Sequence, residues 1–370
     1  MKRIGNSFKG IFGGVILILI GIVLLWWNEG NNVKNIKTTA EMDKKVIDVK
    51  SDKIDSKNEG KLIATNGDLI NDQKLTDETF GITIKTPKLE RIVEVYQWKE
   101  HSSTDDDGKT TYSYSKVWSS DLIDSGNFHQ KSKTNPTTKL YEDKVYTSTE
   151  VKVGKFSLSS NQIDRLSTKA NYTSFDTEKL NELNLTVSGK YLTNSKNLDN
   201  PEIGDTRIEI KYNDSTQLSV LAVQQGNTFV DFVSSYDKRV NRIMDGVHSG
   251  KEMINVIKEE NKFLKWILRL IGTLLIVFGF AAILKPISAI TSFIPIIGSI
   301  VGGAVALVSL VLGLALSLII IAIAWIRFRP LLGIGLLIIV AALVTLLIIR
   351  GKKNKANNTL VNNEQDSINQ

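Results

Sequence analysis

The side chains that could carry out chemistry are few and widely spaced. The chain has three histidines, His101, His129 and His248, and it has no cysteine. Metal-ligating histidines normally recur within a few residues of one another or beside other ligands, and these three do not. Without cysteine there is also no thiol or disulfide chemistry. The sequence therefore predicts no metal site, no cofactor and no catalytic residue that a motif can identify.

Two short segments resemble ligand-binding loops and are better explained as turns. Gly108-Lys109-Thr110 matches the end of a phosphate-binding loop, but Ser103 stands where the first glycine must be. The acidic run Asp105 to Asp107 does not have the spacing of a calcium-binding EF-hand loop. An active site can still be assembled from distant residues, so an enzyme acting on lipid or envelope material stays open as a third hypothesis.

Four apolar runs predict membrane-spanning helices, because about 20 apolar residues cross the hydrocarbon core of a bilayer. They cover residues 11–27, 266–284, 298–326 and 331–349. The first run ends in Trp26-Trp27 rather than in the small residues of a signal-peptidase site, which indicates an uncleaved anchor. The expected fold is thus a polytopic α-helical membrane protein with a large α+β domain between the first two spans.

Positive charges near the ends of the spans predict the orientation. Lysine and arginine flank the first span on residues 1–10 and follow the last span on residues 350–370, so both termini are expected in the cytoplasm. Residues 28–261 then form an extracytoplasmic or lumenal domain, and residues 285–297 form a short inner loop, with a re-entrant segment as the alternative. The net charge of +7 lies largely in these flanks and the tail, so it does not indicate nucleic-acid binding. The expected membrane-interface residues are Trp26, Trp27, Arg269, Arg327 and Arg329.

The domain 28–261 is expected to contain strands and a few helices. Alternating apolar residues predict a β-hairpin of residues 91–98 and 111–118, and further strands at 151–156 and 218–225. Ser159 or Ser160 is a candidate N-cap for a short helix. Apolar residues between Asp237 and Glu260 follow helical spacing and predict an amphipathic helix that leads into the second span. A weak internal similarity suggests two related subunits, near 59–158 and 187–235.

Small residues four positions apart predict flat faces on the first and third spans, where helices can approach closely. Either these faces pack within one subunit or they join copies of the chain. The spans carry no ionisable residue in their interiors, which disfavours an ion-coupled carrier but leaves a hydroxyl-lined channel open. The candidate packing and oligomerisation residues are Gly10, Gly14, Gly298, Gly302, Ser309, Gly313 and Ser317.

The order of several segments resembles the LUMA family, also called transmembrane protein forty-three, over nearly the whole chain. The segments are 24–30 (LLWWNEG), 95–98 (VYQW), the Tyr112/Tyr114/Trp118 hairpin, Asn135-Pro136, 203–207 (IGDTR), 224–226 (QQG), 261–269 (NKFLKWILR) and 324–330 (AWIRFRP). The resemblance implies four spans, one large domain and no established catalytic residues. It also implies an endoplasmic-reticulum or inner-nuclear-membrane location for eukaryotic members. The short tail and the surroundings of Asn135-Pro136 favour a bacterial member, which would reside in the cytoplasmic membrane.

The leading hypothesis is a non-enzymatic membrane scaffold that self-associates and organises membrane protein complexes or membrane structure. Its expected partners are the lipid bilayer, a second copy of the chain and other membrane proteins. An ion channel or channel modulator is the alternative.

Overall fold

A computed structural model describes the backbone of residues 2–104, 109–291 and 295–330, and the side chains of residues 10–104, 109–286 and 302–330. The chain divides into two compact units. A helical unit lies within Met1–Glu41 and Ile254–Gln370, and a β-rich unit comprises Met42–Met253. The predicted fourth span, 331–349, and the tail, 350–370, lie outside the described residues.

Three long helices in the described part of the chain are apolar enough to cross a membrane. They are α1 (Lys2–Lys45), α4 (Gly250–Thr291) and α5 (Pro295–Phe328), and the candidate membrane spans lie within Gly10–Lys45, Gly250–Pro286 and Gly302–Phe328. Helix α1 continues past the predicted first span, and α4 continues past Pro286. Within the predicted inner loop, residues 285–291 and 295–297 are therefore helical.

In its described residues the β-rich unit contains eighteen strands and two short α-helices, α2 (Ser160–Asp164) and α3 (Thr177–Glu182). The strands are β1 (Ile47–Lys50), β2 (Leu62–Asn71), β3 (Lys74–Asp77), β4 (Ile82–Lys85), β5 (Lys88–Thr104), β6 (Thr110–Ser119), β7 (Lys144–Thr147), β8 (Val151–Val153), β9 (Phe156–Ser157), β10 (Ala170–Asn171), β11 (Thr186–Ser188), β12 (Tyr191–Thr193), β13 (Thr206–Tyr212), β14 (Gln217–Gln225), β15 (Thr228–Val230), β16 (Phe232–Val233), β17 (Arg239–Val240) and β18 (Arg242–Asp245).

Two seven-stranded sheets contain fourteen of these strands, and the other four form the two-stranded sheets β3-β4 and β16-β17. The first has the order β15-β14-β2-β8-β9, with β1 beside β2 and β18 beside β14. The second has the order β11-β12-β13-β5-β6, with β10 beside β13 and β7 beside β5. Each sheet has its own core, one around Ile63, Phe156 and Val220 and the other around Val93 and Ile208. Apolar residues face each core because side chains alternate between the two faces of a strand.

The predicted hairpin is confirmed. Strands β5 and β6 pair antiparallel with Tyr96 opposite Trp118, and every second residue of β5 from Leu89 to Gln97 is buried. The short helix is also confirmed: Ser159 caps α2 in a capping box with Gln162. The acidic turn at residues 105–108 lies outside the described residues. A strand follows Lys109, whereas a phosphate-binding loop leads into a helix.

The helix predicted over 237–260 is wrong in its first half. Residues 242–245 form β18 and pair with β14, and α4 begins only at Gly250. A capping box sets that start, because the backbone N–H of Glu252 donates to Ser249 Oγ and the backbone N–H of Ser249 donates to Glu252 Oε2. Ile243 and Met244 belong to a strand, and their spacing from the apolar residues of α4 resembled a helical repeat by coincidence.

The segment predicted as one strand over 151–156 is extended as expected but belongs to two strands. Strands β8 and β9 form a tight hairpin, and Gly154 turns the chain with φ +58°, a conformation that favours glycine. The two stretches expected to be related subunits differ in their pairing. Strand β2 pairs with β14, β1 and β8, whereas β12 pairs with β11 and β13 in the other sheet.

Candidate functional site

A buried carboxylate connects the three long helices of the helical unit. Glu29 on α1 is 1% exposed. Its Oε1 accepts a hydrogen bond from Arg269 Nε of α4 at 2.6 Å, and its Oε2 accepts one from Trp325 Nε1 of α5 at 3.0 Å. Both carboxylate oxygens are therefore occupied by donors from different helices. Charge-assisted hydrogen bonds of this kind are about twice as strong as neutral ones.

Aromatic rings cover the positive partner of this pair. The guanidinium of Arg269 lies 4.8 Å from the ring centroid of Trp266 and 5.8 Å from that of Trp325. The indole faces attract the cation, and the contact is stronger away from water. Beside it, the Asn28 amide donates to the backbone carbonyl of Lys265 at 3.1 Å. We call Asn28, Glu29, Lys265, Arg269 and Trp325 the polar cluster.

Glycines bring α1 and α4 into close contact along the apolar part of the bundle. A Cβ at Gly14 would lie 2.6 Å from the carbonyl oxygen of Gly279, and a Cβ at Gly279 would lie 2.7 Å from that of Gly14. Gly21 lies seven residues after Gly14, and Gly272 lies seven residues before Gly279. A Cβ at Gly21 would lie 2.8 Å from the carbonyl oxygen of Gly272. Backbones this close leave no room for a side chain, so these positions require glycine.

The third long helix packs on α4 through another small residue. A Cβ at Gly313 would lie 2.4 Å from Val277 Cγ2. Leu25, Ile276 and Ile320, one from each helix, form the buried apolar centre of the unit. The described part of this unit is therefore a packed three-helix bundle.

The hydroxyl groups predicted on α5 bond within their own helix. Ser309 Oγ donates to the carbonyl of Val305 and Ser317 Oγ to that of Gly313, each at 2.7 Å. Both serines are at most 2% exposed. Their hydroxyls thus satisfy neighbouring backbone groups, as is usual for serine four residues after a carbonyl.

The remaining predicted glycines make few contacts. A Cβ at Gly10 would meet only the carbonyl oxygen of Ala282, at 3.8 Å. A Cβ at Gly302 or Gly303 would have no atom of the described residues within 4 Å. Gly298 lies on α5, outside the residues whose side-chain surroundings are described.

The predicted membrane-interface residues occupy different positions around the polar cluster. Trp27 is 55% exposed, whereas Trp26 packs against the Phe328 ring at 5.5 Å. Arg327 is exposed and Arg329 is half-buried. Arg269, expected to extend toward the interface, instead points at Glu29 with a side chain 12% exposed.

Sequence reasoning identified only Arg269 of the polar cluster and missed Asn28, Glu29, Lys265 and Trp325. It treated Glu29 only as a polar residue after the tryptophans, although an acidic residue at the end of a span is a candidate partner for an arginine such as Arg269. It also missed Gly21, Gly272 and Gly279. The available signal was a glycine repeat of seven residues in each helix, since Gly14 precedes Gly21 as Gly272 precedes Gly279.

The β-rich unit carries a mixed aromatic and basic surface on the face of the second sheet opposite its core. The Arg207 guanidinium lies 4.6 Å from the Trp118 ring centroid and 4.7 Å from that of Tyr191. Lys133 Nζ lies 3.9 Å from the Trp98 ring centroid. Half-buried aromatic and arginine side chains of this kind are enriched at protein interfaces.

The titratable groups of the β-rich unit form structural contacts. Arg91 donates to both carboxylate oxygens of Asp77 at 2.9 and 3.0 Å, and both side chains are buried. Burial raises the pKa of Tyr146 to about 12, so its hydroxyl keeps its proton at neutral pH. Among the described residues, no three histidine, aspartate or glutamate side chains are close enough together to hold a metal ion.

The three histidines have separate partners. His101 Nε2 lies 2.9 Å from Ser115 Oγ, and His248 Nε2 lies 2.9 Å from the carbonyl oxygen of Asp245. The His129 ring stacks on that of Tyr112 at 4.2 Å. The structure does not bring these histidines together as a catalytic or metal-binding group.

Comparison with known proteins identifies relatives over most of the chain. The chain is 28% identical over 371 residues to "Transmembrane protein 43" of Homo sapiens, with 95% of this chain and 92% of the relative covered. It is 26% identical over 352 residues to the Mus musculus protein, with 90% and 87% covered. It is 28% identical over 341 residues to the Drosophila melanogaster homolog, with 88% and 90% covered. No solved structure matches the chain.

The sequence profile of the family described as Transmembrane protein 43 matches residues 95–330, which include part of the β-rich unit, Arg269 and Trp325. Together with the three apolar helices, this match identifies an integral membrane protein. The chain belongs to the transmembrane protein 43 (TMEM43) family.

Proposed function

We propose that the protein is a non-enzymatic membrane scaffold that self-associates through α5 and organises other membrane proteins or the membrane itself. The observation that carries this proposal is the contrast between glycines along the bundle. Gly14, Gly21 and Gly313 are engaged within the subunit, whereas Gly302 and Gly303 form an open small-residue face among the described residues. Flat faces of this kind permit close packing with another helix.

The polar cluster supports a structural role over ion transport. A transport pathway usually exposes ionisable groups to a water-filled cavity. Here both oxygens of Glu29 accept hydrogen bonds from Arg269 and Trp325, and Ser309 and Ser317 bond to their own helix. A channel is therefore the alternative function, and we assign the open small-residue face at Gly302 and Gly303 to helix packing.

The β-rich unit would present a partner surface through the aromatic and basic face that contains Trp98, Trp118 and Arg207. Orientation follows the positive-inside rule, with both termini cytoplasmic and this unit on the opposite side. The membrane would be the cytoplasmic membrane in a bacterium, or that of the endoplasmic reticulum or inner nucleus in a eukaryote. In intact bacterial cells, Val187→Cys should react with an impermeant maleimide, because Val187 is 50% exposed. Reaction only after lysis would reverse the orientation.

Cross-linking at α5 tests self-association directly, because the chain has no cysteine and an introduced one is unique. Ala306 lies one helical turn after Gly302 and is exposed. In liposomes, Ala306→Cys should form a covalent dimer with a short bifunctional maleimide. Adding Gly302→Leu should abolish the dimer, because the leucine side chain would hold the two helices apart.

Leu19→Cys on α1 is the matched control, since Leu19 is 56% exposed and lies on a different helix. It should give little dimer at the same protein density. Equal cross-linking at both cysteines would indicate random collision, and no cross-linking at Ala306→Cys would assign the open face to contacts within one chain. Either result would refute self-association through α5.

A further inference from the structure

Two shielded hydrogen-bond donors near the polar cluster have no acceptor among the described residues. They are Nδ2 of Asn32 on α1 and Nη2 of Arg329, the residue that follows α5. Asn32 is only 5% exposed. Shielded donors without acceptors are uncommon in folded proteins, because leaving them unpaired is unfavourable. Such a pair of donors indicates a binding site for a hydrogen-bond acceptor.

The helix register places both donors at the same level. Helices α1 and α5 both run antiparallel to α4, as the successive contacts along each pair of helices show. Glu29 of α1 meets Trp325 of α5. Asn32 follows Glu29 by three residues, and the Arg329 backbone N–H donates to the Trp325 carbonyl at 2.7 Å. The backbones of both residues therefore lie about 5 Å, roughly one helical turn, beyond the Glu29 contact.

The charge around this level is positive. Lys265 interacts electrostatically with Arg269, Arg329 and Glu29, and more weakly with Lys262, which itself pairs with Glu259. Cations therefore outnumber carboxylates around Lys265. Both oxygens of the Glu29 carboxylate already accept hydrogen bonds. An added anion would thus find two free donors and an excess of positive charge, which is the environment that guanidinium groups provide for phosphate.

The surroundings favour a lipid as the source of the phosphate. Trp27 and Trp266 are each more than half exposed at the end of the apolar runs, where tryptophan marks the headgroup region of a bilayer. Exposed Phe263 and Leu270, on the side of α4 away from Lys265, offer apolar surface to acyl chains nearby. We propose that Asn32, Lys265 and Arg329 bind the phosphodiester of an anionic lipid headgroup. This site is independent of contacts between copies of the chain.

Brominated lipids test the site, because bromine quenches tryptophan fluorescence on contact and Trp266 and Trp325 adjoin the site. The full-length protein is reconstituted in phosphatidylcholine vesicles that contain a minor fraction of brominated phosphatidylglycerol. Quenching relative to brominated phosphatidylcholine gives the preference for the anionic lipid. The wild type should prefer phosphatidylglycerol, and Arg329→Gln should lower that preference about tenfold, the effect of losing one charge-assisted hydrogen bond.

Two further variants distinguish this site from general surface charge. Arg327→Gln removes an exposed arginine two residues away and should keep the preference. Asn32→Asp is nearly isosteric and places a carboxylate where the phosphate would bind. It should abolish the preference while keeping or raising the thermal stability of the protein, which shows that the bundle is folded.

If Arg327→Gln and Arg329→Gln lowered the preference for phosphatidylglycerol equally, the proposal would be overturned in favour of non-specific electrostatic attraction. An unchanged preference in Asn32→Asp would overturn it as well. Inorganic phosphate, titrated into the detergent-solubilised protein and the vesicles, separates the two sources of the anion. The titration in detergent gives the dissociation constant of inorganic phosphate. If phosphate near that concentration removed the wild type's preference for phosphatidylglycerol in vesicles, the ligand would be free phosphate and not a lipid.

Discussion

Replacing Glu29 by glutamine should destabilise the helical unit more than any other single isosteric change in the polar cluster. The substitution keeps the shape of the side chain but removes its charge. Arg269 then keeps its charge in a site where its side chain is only 12% exposed. Glutamine can still accept a hydrogen bond from Trp325, which donates to Glu29 at 3.0 Å in the structure.

The size of the effect follows from two terms. A hydrogen bond between charged groups contributes about 1.5–3 kcal/mol, and leaving one member of a buried ion pair without its partner costs about 3–5 kcal/mol. Because Arg269 retains its contacts with Trp266 and Trp325, we expect the lower part of that range, about 3 kcal/mol. The free energy of unfolding is measured on protein in mixed micelles. A denaturing detergent is added stepwise, and unfolding is followed by tryptophan emission.

A double-mutant cycle isolates the interaction. Arg269→Gln alone should also be destabilising, and the Glu29→Gln/Arg269→Gln double variant should lose less than the sum of the two single variants. We expect a coupling energy of about 2 kcal/mol, typical of residues in direct contact. The Arg327→Gln variant is the control and should unfold like the wild type. Additive single effects, or a loss below about 0.5 kcal/mol for Glu29→Gln, would refute the idea that this pair holds the helices together.

Two predictions concern the β-rich unit. Asp77→Asn removes the charge opposite buried Arg91 and should lower the stability of this unit by about 3–5 kcal/mol. Urea titration followed by circular dichroism measures this loss, and an unchanged urea midpoint would contradict the prediction. Asp245 should stabilise the unit above the ordinary aspartate pKa of about 4 and lose that effect as the pH falls through its lowered folded-state pKa. Burial pushes the pKa of Asp245 upward, but hydrogen bonds from Lys169, Ser215 and Ser167 outweigh burial and hold it below its usual value. The difference in urea midpoint between wild type and Asp245→Asn should be constant above about pH 5 and shrink in acid, and a pH-independent difference would be evidence against this role.

Local patterns predicted much of the β-rich unit because they act over a few residues. The alternation in β5 required one face to be buried, and Ser159 with Gln162 specified the start of α2. The error at 237–260 arose because the apolar residues of a strand and of the following helix together matched the repeat of a single amphipathic helix. The Ser249–Glu252 capping box was the available boundary signal.

The helical unit was less predictable because its contacts depend on the register between helices distant in sequence. Small-residue spacing pointed to Gly14 and Gly313 as packing positions, but nothing in the sequence alone states that Gly14 lies against Gly279. The pairing of Glu29 with Arg269 likewise joins residues 240 positions apart. One sequence shows which residues can pair, whereas the packing of the bundle determines which of them do.

The count of copies in a membrane tests the central claim most directly. Full-length protein with one fluorophore per chain is reconstituted in liposomes at low density, and photobleaching steps are counted for the wild type, Gly302→Leu and Leu19→Ala. Leu19→Ala controls for altered lipid exposure on another helix. Self-association through α5 predicts two or more steps per wild-type spot, the same distribution for Leu19→Ala, and a shift to single steps for Gly302→Leu. Single steps for the wild type at every density, or an unchanged distribution for Gly302→Leu, would contradict the proposed scaffold.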